Sequence, residues 1–450
     1  MERQFDTIVI GTGAAGSPVA YACREAGWKV AIVDSRPFGG TCALRGCDPK
    51  KVLVGAAEAI DWARRMQDKG LDARQARIDW PALMRFKRTF TDPVPKSRQQ
   101  GYDQAGITTF HGRARFIDGT RLQVGEEVLS ARFFHIAAGA RPATLGIDGE
   151  AHLTTSEQFL DLDQLPERIT FVGGGYISFE FAHVSARAGA QVQIIHRGAR
   201  PLPGFDADLV DKLVAASRDA GIDVRLNTPV KSVEQTRSSL VVKASGTGGE
   251  ATFTADMVVH GAGRVPDIDD LGLEAANITR EKKGVSVNEY LQSVSNPAVY
   301  AAGDAAASGG LQLTPVASMQ AEIVATNILE GNQRTPNHKG IPTVVFTIPP
   351  LAAVGLLEED AKKQGLKFKK NYDDTSQWYS SRRTNEKHSA FKVLIEEKTD
   401  RILGAHLMGA HVEETINLFG LAVRTGLTAK DLREMIYSYP THSSDVVHML

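Results

Sequence analysis

The chain opens on an apolar run rich in β-branched residues and bounded by glycine. Thr7-Ile8-Val9-Ile10 reads as a buried parallel strand. Gly11-Thr12-Gly13-Ala14-Ala15-Gly16 follows at once. A helical stretch then runs to about Ala26 and stops at Gly27, and a second strand over 29–33 ends at Asp34. This is a βαβ unit. The same frame recurs downstream: a strand at Arg168–Val172, a turn at Gly173-Gly174-Gly175-Tyr176-Ile177-Ser178, a helix to about Gly189 and a strand at Gln191–Ile195. Gly11 corresponds to Gly173 and Asp34 to His196 by one common shift. Two glycine turns with identical spacing to the strand ends predict two Rossmann-like, mononucleotide-binding modules. The later chain changes character. Strand runs over 342–347, 391–396 and 401–408 are followed by helical stretches near 412–425 and 428–437, which predicts a separate α+β unit. The polar stretch 331–339 is a candidate boundary.

Composition narrows the class. The 450 residues are about three times the length prior for one domain, so two to four domains are expected. Hydrophobic residues at 42% and charged residues at 23% exclude a disordered chain, a collagen-like fibre and a disulfide-stapled mini-protein. Lys+Arg 52 against Asp+Glu 53 leaves a net charge of -1 without a basic stripe, so no nucleic-acid partner is expected. No run reaches the ~18 apolar residues of a membrane helix, and the first residues lack an apolar signal core. The expectation is a cytoplasmic enzyme acting on a small molecule. Three cysteines, Cys23, Cys42 and Cys47, are too few for a disulfide framework. In a reducing compartment a close pair points to catalysis or metal binding rather than structure.

The first glycine turn has a physical rationale at each position. Gly11 permits the tight turn, Gly13 lets the backbone approach a pyrophosphate, and Gly16 lets helix and strand pack closely. The helix N-terminus offers unpaired N–H groups to phosphates. Asp34 is placed to accept hydrogen bonds from ribose hydroxyls. In the second module His196 replaces the acid, with Arg197 and Arg200 beside it. Cations there would attract a 2′-phosphate, so NADP(H) is expected over NAD(H). Cys42 and Cys47 lie in Gly39-Gly40-Thr41-Cys42-Ala43-Leu44-Arg45-Gly46-Cys47-Asp48-Pro49-Lys50-Lys51. Five residues apart on a regular helix, they would point roughly 140° from each other, so a bond between them requires a distorted first turn. The flanking glycines permit that distortion. Arg45, Lys50 and Lys51 supply cations that lower a thiol's pKa. A metal site is the other reading of the pair, although no second Cys/His group has ligand spacing, and no metal is expected. Cys23, alone in mid-helix, reads as a packed apolar residue.

Together these residues resemble the class I pyridine nucleotide-disulfide oxidoreductase family, the group of glutathione, trypanothione and mercuric reductases and dihydrolipoyl dehydrogenase. The resemblance runs through the chain in order. It is carried by Gly39 to Pro49, Ile136 to Pro142, Gly173 to Glu180, Gly261 to Pro266, Ala301 to Asp304, Leu313 to Ala317, Pro342 to Phe346 and Ile402 to His406. It implies an α/β fold with FAD- and NAD(P)-binding domains and a C-terminal α+β dimerisation domain. The implied segments are 1–150 and 267–335 for FAD, 151–266 for NAD(P)H, and 336–450 for a homodimer interface that shares the active site. It further implies cofactor contacts at Gly11, Gly13, Ala14, Ala15, Gly16, Asp34, Gly40, Thr41, Lys51, Ala138, Gly139, Gly173, Gly175, Tyr176, Ile177, His196, Arg197, Arg200, Gly263, Arg264, Gly303, Asp304, Leu313 and Thr314. In that scheme Asp34 meets the adenosine ribose, Asp304 the ribityl chain, and Tyr176 gates the nicotinamide. Glu180 pairs with Lys50 or Lys51. Electrons pass from NADPH through FAD to a Cys42–Cys47 disulfide, with Cys47 facing the flavin and Cys42 attacking the substrate.

Three departures bear on the substrate. The thiol-reducing members carry His-Pro-Thr-x-x-Glu near the C-terminus, whereas here Tyr439 stands at the His position and Ser444 at the Glu position. Unperturbed His titrates near ~6.5 and Tyr near ~10, so Tyr439 does not shuttle protons alike, and His442 or Asp445 is the candidate replacement. Tyr21, Ala22 and Asn327 fall where glutathione reductases carry carboxylate-gripping arginines. Asp48 stands where the family has an aliphatic residue, next to Cys47, and a carboxylate there raises a thiol's pKa. The expected acceptor is a small disulfide other than glutathione. The rivals are a metal-ion or quinone reductase of mercuric-reductase type and a non-catalytic redox sensor. Mercuric reductases share the Tyr but add a C-terminal cysteine pair, which His448-Met449-Leu450 lacks.

Overall fold

The computed structural model describes residues 2–246 and 249–450. They fall into two compact units, the first formed by Met1–Lys50, Phe86–Ala143 and Arg264–His338. Its sheet places the strands in the order Thr108–His111, Val30–Asp34, Glu2–Ile10, Glu127–Ile136, Arg121–Val124, Ala114–Phe116. The first four are parallel, and Val299–Ala301 adds to the end of Glu127–Ile136 in register Val299 to Phe134. Both faces are buried. Ile8, Ile10, Ala31 and Val33 pack on one side, and Val9, Val30 and Ile32 pack with Val19 and Ala20 of helix Ser17–Glu25 on the other. That two-sided burial is why the strands read as continuous apolar runs.

The second unit comprises Lys51–Arg85, Thr144–Gly263 and Lys339–Leu450. It holds a parallel sheet ordered Ile222–Arg225, Gln191–Ile195, Arg168–Val172, Met257–His260. A three-stranded antiparallel sheet stands beside it in sequence, Val230–Gln235, Leu240–Gly246 and Gly249–Ala255. A five-stranded antiparallel sheet carries helix Val412–Thr425, in the order Thr343–Val345, Leu351–Gly355, Ile402–Met408, Ala390–Glu396, Phe368–Asp374. The α+β character expected of the C-terminal region is therefore present. Among the described residues no helix is long and apolar enough to cross a membrane.

One polar cluster is buried in this unit. Lys392, only 2% exposed, places its ammonium 2.7 Å from Asp206, 2.5 Å from Asp208 and 3.1 Å from Glu358. Asp206 also caps helix Ala207–Asp219, accepting from the amides of Asp208 and Leu209. Burial alone would push the Lys392 ammonium down, but the carboxylates outweigh it and hold it up. Partial burial likewise pushes Glu358 up, and Lys362, Lys392 and Lys370 more than offset that, holding it at about 2. Because the folded value lies below an unfolded value of about 4.3, this contribution is complete above that pH and is lost as pH falls towards 2. Denaturant midpoints measured across this range should fall with acidification, and Glu358→Gln should flatten that slope.

Candidate active site

The first glycine turn closes tightly. Gly11 has φ +107°, and a Cβ there would sit 2.2 Å from the Ala137 carbonyl oxygen, so only glycine fits. Helix Ser17–Glu25 begins at Gly16 with no side-chain cap; Pro18 in its first turn carries no N–H, and the Gly16 and Ser17 amides donate to the Gly13 carbonyl at 3.1 Å. Asp34 is more engaged than expected. Its Oδ2 accepts from the Thr12 amide at 2.9 Å and the Thr12 hydroxyl at 2.6 Å, and its Oδ1 accepts from the Arg36 amide at 2.9 Å. The Thr12 hydroxyl in turn accepts from the Gly39 amide at 3.0 Å. Thr12 thus ties the nucleotide turn to the cysteine segment, a role that its variable place inside the glycine pattern did not signal.

The cysteine segment begins where two backbones touch: a Cβ on Gly40 would lie 2.4 Å from the Gly13 Cα. Helix Gly40–Arg45 carries Thr41 and Cys42, and helix Cys47–Arg65 starts at Cys47. Gly46 between them breaks the run at φ -145° and ψ -113°. A Cβ at Gly46 would sit 2.9 Å from the Thr41 carbonyl oxygen. The distortion therefore lies between the cysteines rather than within a first turn. It brings two free thiols into hydrogen-bond reach of each other.

Their electrostatics are unequal. The hydrogen bond from Cys42 is the largest influence on Cys47 and lowers it. The Thr314 hydroxyl and the Lys50 charge add to this, and together they outweigh burial and Asp48, holding Cys47 at about 6. Thr314 Oγ1 lies 3.3 Å from the Cys47 sulfur. Cys42 is pushed up, first by its bond to Cys47, then by burial, with the Asp48 charge adding. Its S–H also donates to Asp48 Oδ1 at 3.7 Å. The pair is poised as one thiol and one thiolate at neutral pH. Burial pushes Cys23 up to about 12, which leaves it the inert packed residue expected.

Asp304 follows strand Val299–Ala301. Burial raises it, with Arg264 nearby lowering it, and its carboxyl has no hydrogen-bond donor among the described residues. Arg264 donates to the Ala140 carbonyl, on strand Arg264–Pro266 paired with Ala140–Pro142. Ala138 and Gly139 precede that strand, and Gly303 donates its amide to Gln320 at 2.8 Å. Ala14, Ala15, Leu313 and Thr314 flank the same two turns. Glycine backbones at Gly11, Gly13 and Gly40, an uncapped helix start and an unsatisfied carboxyl fit a dinucleotide with hydroxyl groups.

The second module repeats the uncapped start: helix Tyr176–Arg187 follows Gly175 without a side-chain cap. A Cβ on Gly173 would meet the Gly261 carbonyl oxygen at 2.3 Å. Ile177 lies in the first turn, and Gly263 is exposed at the end of the strand Met257–His260 loop. Tyr176 is exposed, but its hydroxyl bonds Thr343 Oγ1 at 2.7 Å. Glu180 is buried and accepts from the Phe346 amide at 2.9 Å. Lys51 lies 3.3 Å from Glu58 and 4.4 Å above the Phe346 ring.

The basic residues and the acid–base candidates have neighbours of their own. Burial, with Arg197 adding, holds His196 below its ordinary value, and its Nε2 faces the Arg200 carbonyl at 3.1 Å. Arg200 is paired with Asp211 at 3.4 Å. Of the three, Arg197 is exposed and has no hydrogen-bond or ion-pair partner among the described residues. His442 is pushed down to about 4 by burial, His411 and Arg383, with the His411 ring 4.9 Å away. A group held there is neutral at pH 7 and is a poor proton donor. Tyr439 is 83% exposed. Ser444 serves locally, donating to the Thr441 carbonyl at 2.6 Å.

Known proteins are similar to nearly the whole of this chain. The family described as pyridine nucleotide-disulphide oxidoreductase matches residues 5–321, and its dimerisation domain matches 341–450. A glutathione reductase of Burkholderia cepacia is 32% identical, covering 98% of this chain and 98% of its own. A mercuric reductase of Staphylococcus aureus is 32% identical over 98% of this chain and 81% of its own. The Cu(II) complex of the HOCl-induced flavoprotein disulfide reductase RclA from Escherichia coli superposes with TM-score 0.88 at 28% identity, over 99% of each chain. With the paired thiols, two nucleotide turns and this match over nearly all its length, the chain belongs to the pyridine nucleotide-disulphide oxidoreductase family, enzymes that work with FAD and a pyridine nucleotide and pair through their C-terminal domain.

Proposed function

We propose that this enzyme is an FAD-dependent, NADPH-oxidising disulfide reductase whose Cys42–Cys47 couple delivers two electrons to a small disulfide. The observation that carries the reading is the unequal thiol pair, one sulfur held at about 6 and its neighbour held up as a proton donor. FAD, when bound on the first module, supplies the two-electron relay from the nicotinamide. Cys42 is the sulfur that attacks substrate, and Cys47 resolves the mixed disulfide as its thiolate. Thr314 and Lys50 hold that negative charge. Lys50 and Glu180 otherwise keep the roles the family resemblance gives them, as do the segments 1–150, 151–266, 267–335 and 336–450. The site is read as shared across the homodimer, a reading supported by the apolar tail: Ile436 is 92% exposed in one chain, close to Tyr439. A dithiol relay recharged by NADPH suits the reducing cytoplasm.

Two positions argue for an acceptor other than glutathione. Asn327 is 1% exposed and bonds the carbonyls of Tyr290 and Arg334, so it does not reach a substrate. Tyr21 stacks on Tyr102 with ring centroids 5.5 Å apart. The metal-ion, quinone and sensor readings are not favoured over a disulfide acceptor. Anaerobic addition of one equivalent of NADPH to the oxidised, FAD-loaded protein should create two alkylatable thiols per subunit, which peptide mapping assigns to Cys42 and Cys47. Reduction of the flavin with neither cysteine changed overturns the reading.

The nucleotide preference rests on Arg197, the cation left unpaired at the end of strand Gln191–Ile195. Arg197→Ala should lower kcat/KM for NADPH by about tenfold or more and leave NADH nearly unchanged, as expected for one charge-assisted phosphate contact. Parallel steady-state assays with both nucleotides check this.

A further inference from the structure

The Cys42 thiol carries one proton and has two acceptors in reach, the Cys47 sulfur and Asp48 Oδ1 at 3.7 Å. Asp48 is exposed in the first turn of helix Cys47–Arg65. The Gly46 break sets this geometry, because it turns Cys42 back over the start of the next helix. The charged and titratable groups around the pair are Cys47, Asp48 and Lys50 from that helix, with the Thr314 hydroxyl from helix Thr314–Glu330. In the C-terminal segment Tyr439 stands at the family's His position and Ser444 at its Glu position, and the Ser444 hydroxyl is spent locally on the Thr441 carbonyl at 2.6 Å.

We infer that Asp48 is the catalytic proton carrier for Cys42, supplied from the same subunit in place of the missing C-terminal His/Glu pair. This rests on the disulfide reductase reading above. As the Cys42 sulfur attacks a substrate disulfide R–S–S–R, its S–H bond breaks and the proton passes to Asp48 Oδ1. A Cys42–S–S–R bond forms, the substrate S–S bond breaks, and R–S⁻ leaves. The Asp48 carboxylic acid returns the proton to that leaving sulfur and gives the first thiol. The Cys47 thiolate then attacks the Cys42 sulfur, forming the Cys42–Cys47 bond. It releases the second R–S⁻, which takes a proton from water. Two electrons leave the two cysteines and reduce one disulfide to two thiols, with one proton drawn from solvent.

The leaving group provides the test. An alkyl thiolate needs the proton, whereas an acidic aryl thiolate departs without it. In FAD-loaded Asp48→Asn and Asp48→Val, kcat/KM for hydroxyethyl disulfide should fall about 100-fold, the usual reach of general acid–base catalysis, while dithiobis-nitrobenzoate loses less than about threefold. Asp48→Glu should recover part of the alkyl activity. NADPH should still generate both thiols in every variant, a readout independent of turnover. Equal losses on the two disulfides, or no loss on the alkyl one, overturn the assignment. Failure of the underlying reading is distinct, because the wild-type protein would then form no new thiols at all.

Discussion

Cys47→Ser should reduce disulfide turnover to background, a loss of about ten-thousand-fold or more, with FAD retention and denaturant midpoint unchanged. The reason lies in the division between the two sulfurs. Cys47 carries the negative charge at neutral pH, being held at about 6, and a serine hydroxyl neither ionises there nor forms a sulfur–sulfur bond. Cys42→Ser should be equally inactive yet keep its thiolate, because a serine hydroxyl still donates a hydrogen bond to Cys47. The sign follows from the lowered value: the reactive, charged form exists above about pH 6 and disappears below it. Iodoacetamide labelling of Cys42→Ser should therefore rise through that pH, and the same labelling of Cys47→Ser should stay slow at neutral pH. Turnover by Cys47→Ser at the wild-type rate is the result that sinks the dithiol chemistry.

The second large effect concerns stability. Lys392→Met should destabilise the protein by roughly 3–5 kcal/mol, because it leaves a buried carboxylate without its counter-charge. Asp206 is the vulnerable member: its side chain is 3% exposed, against 52% for Asp208, which can turn to water. The adjacent amides of helix Ala207–Asp219 soften the loss without neutralising the charge. The double variant Lys392→Met/Asp206→Asn should recover part of the lost stability, since an amide keeps the cap and removes the charge. Guanidinium unfolding of the single and double variants measures both terms. A single variant within about 0.5 kcal/mol of wild type would show that the cluster is not held together by its ammonium.

How much was readable in advance follows the range of each interaction. Arg168–Val172 and Gln191–Ile195 match the expected strands because they flank the second glycine turn and bury the apolar residues Ile169, Phe171 and Val172 and Val192, Ile194 and Ile195. The first strand reaches back to Glu2 instead of starting at Thr7, since Glu2, Arg3 and Gln4 are exposed and pair with Val128–Ser130 through backbone alone. No apolar period marks such residues. Three of the five C-terminal strands lie within a few residues of the expected runs, whereas Leu351–Gly355 and Phe368–Asp374 were not foreseen. Nor was the three-stranded sheet from Val230, because its strands mix exposed polar and half-buried positions. At the site, the cysteine pair was legible from spacing and nearby cations. The contact of Thr314 with Cys47 was not, as 267 residues separate them. The pairing of Arg200 with Asp211 and the half-burial of His196 are likewise tertiary facts.

Chain order has a consequence for synthesis. Residues Phe134–Ile136 at the tip of a central strand pair on one side with Ile8–Ile10, but their other edge is covered only by Val299–Ala301, so the ribosome must deliver more than half the protein before that sheet can be finished. Elongation at roughly 5–20 residues per second makes the delay on the order of ten seconds. The nascent polypeptide meanwhile presents an open, apolar strand edge of the sort that templates intermolecular pairing. Fragments ending upstream of Val299 should therefore aggregate, and the full-length product should depend on holdase chaperones more than its final stability suggests.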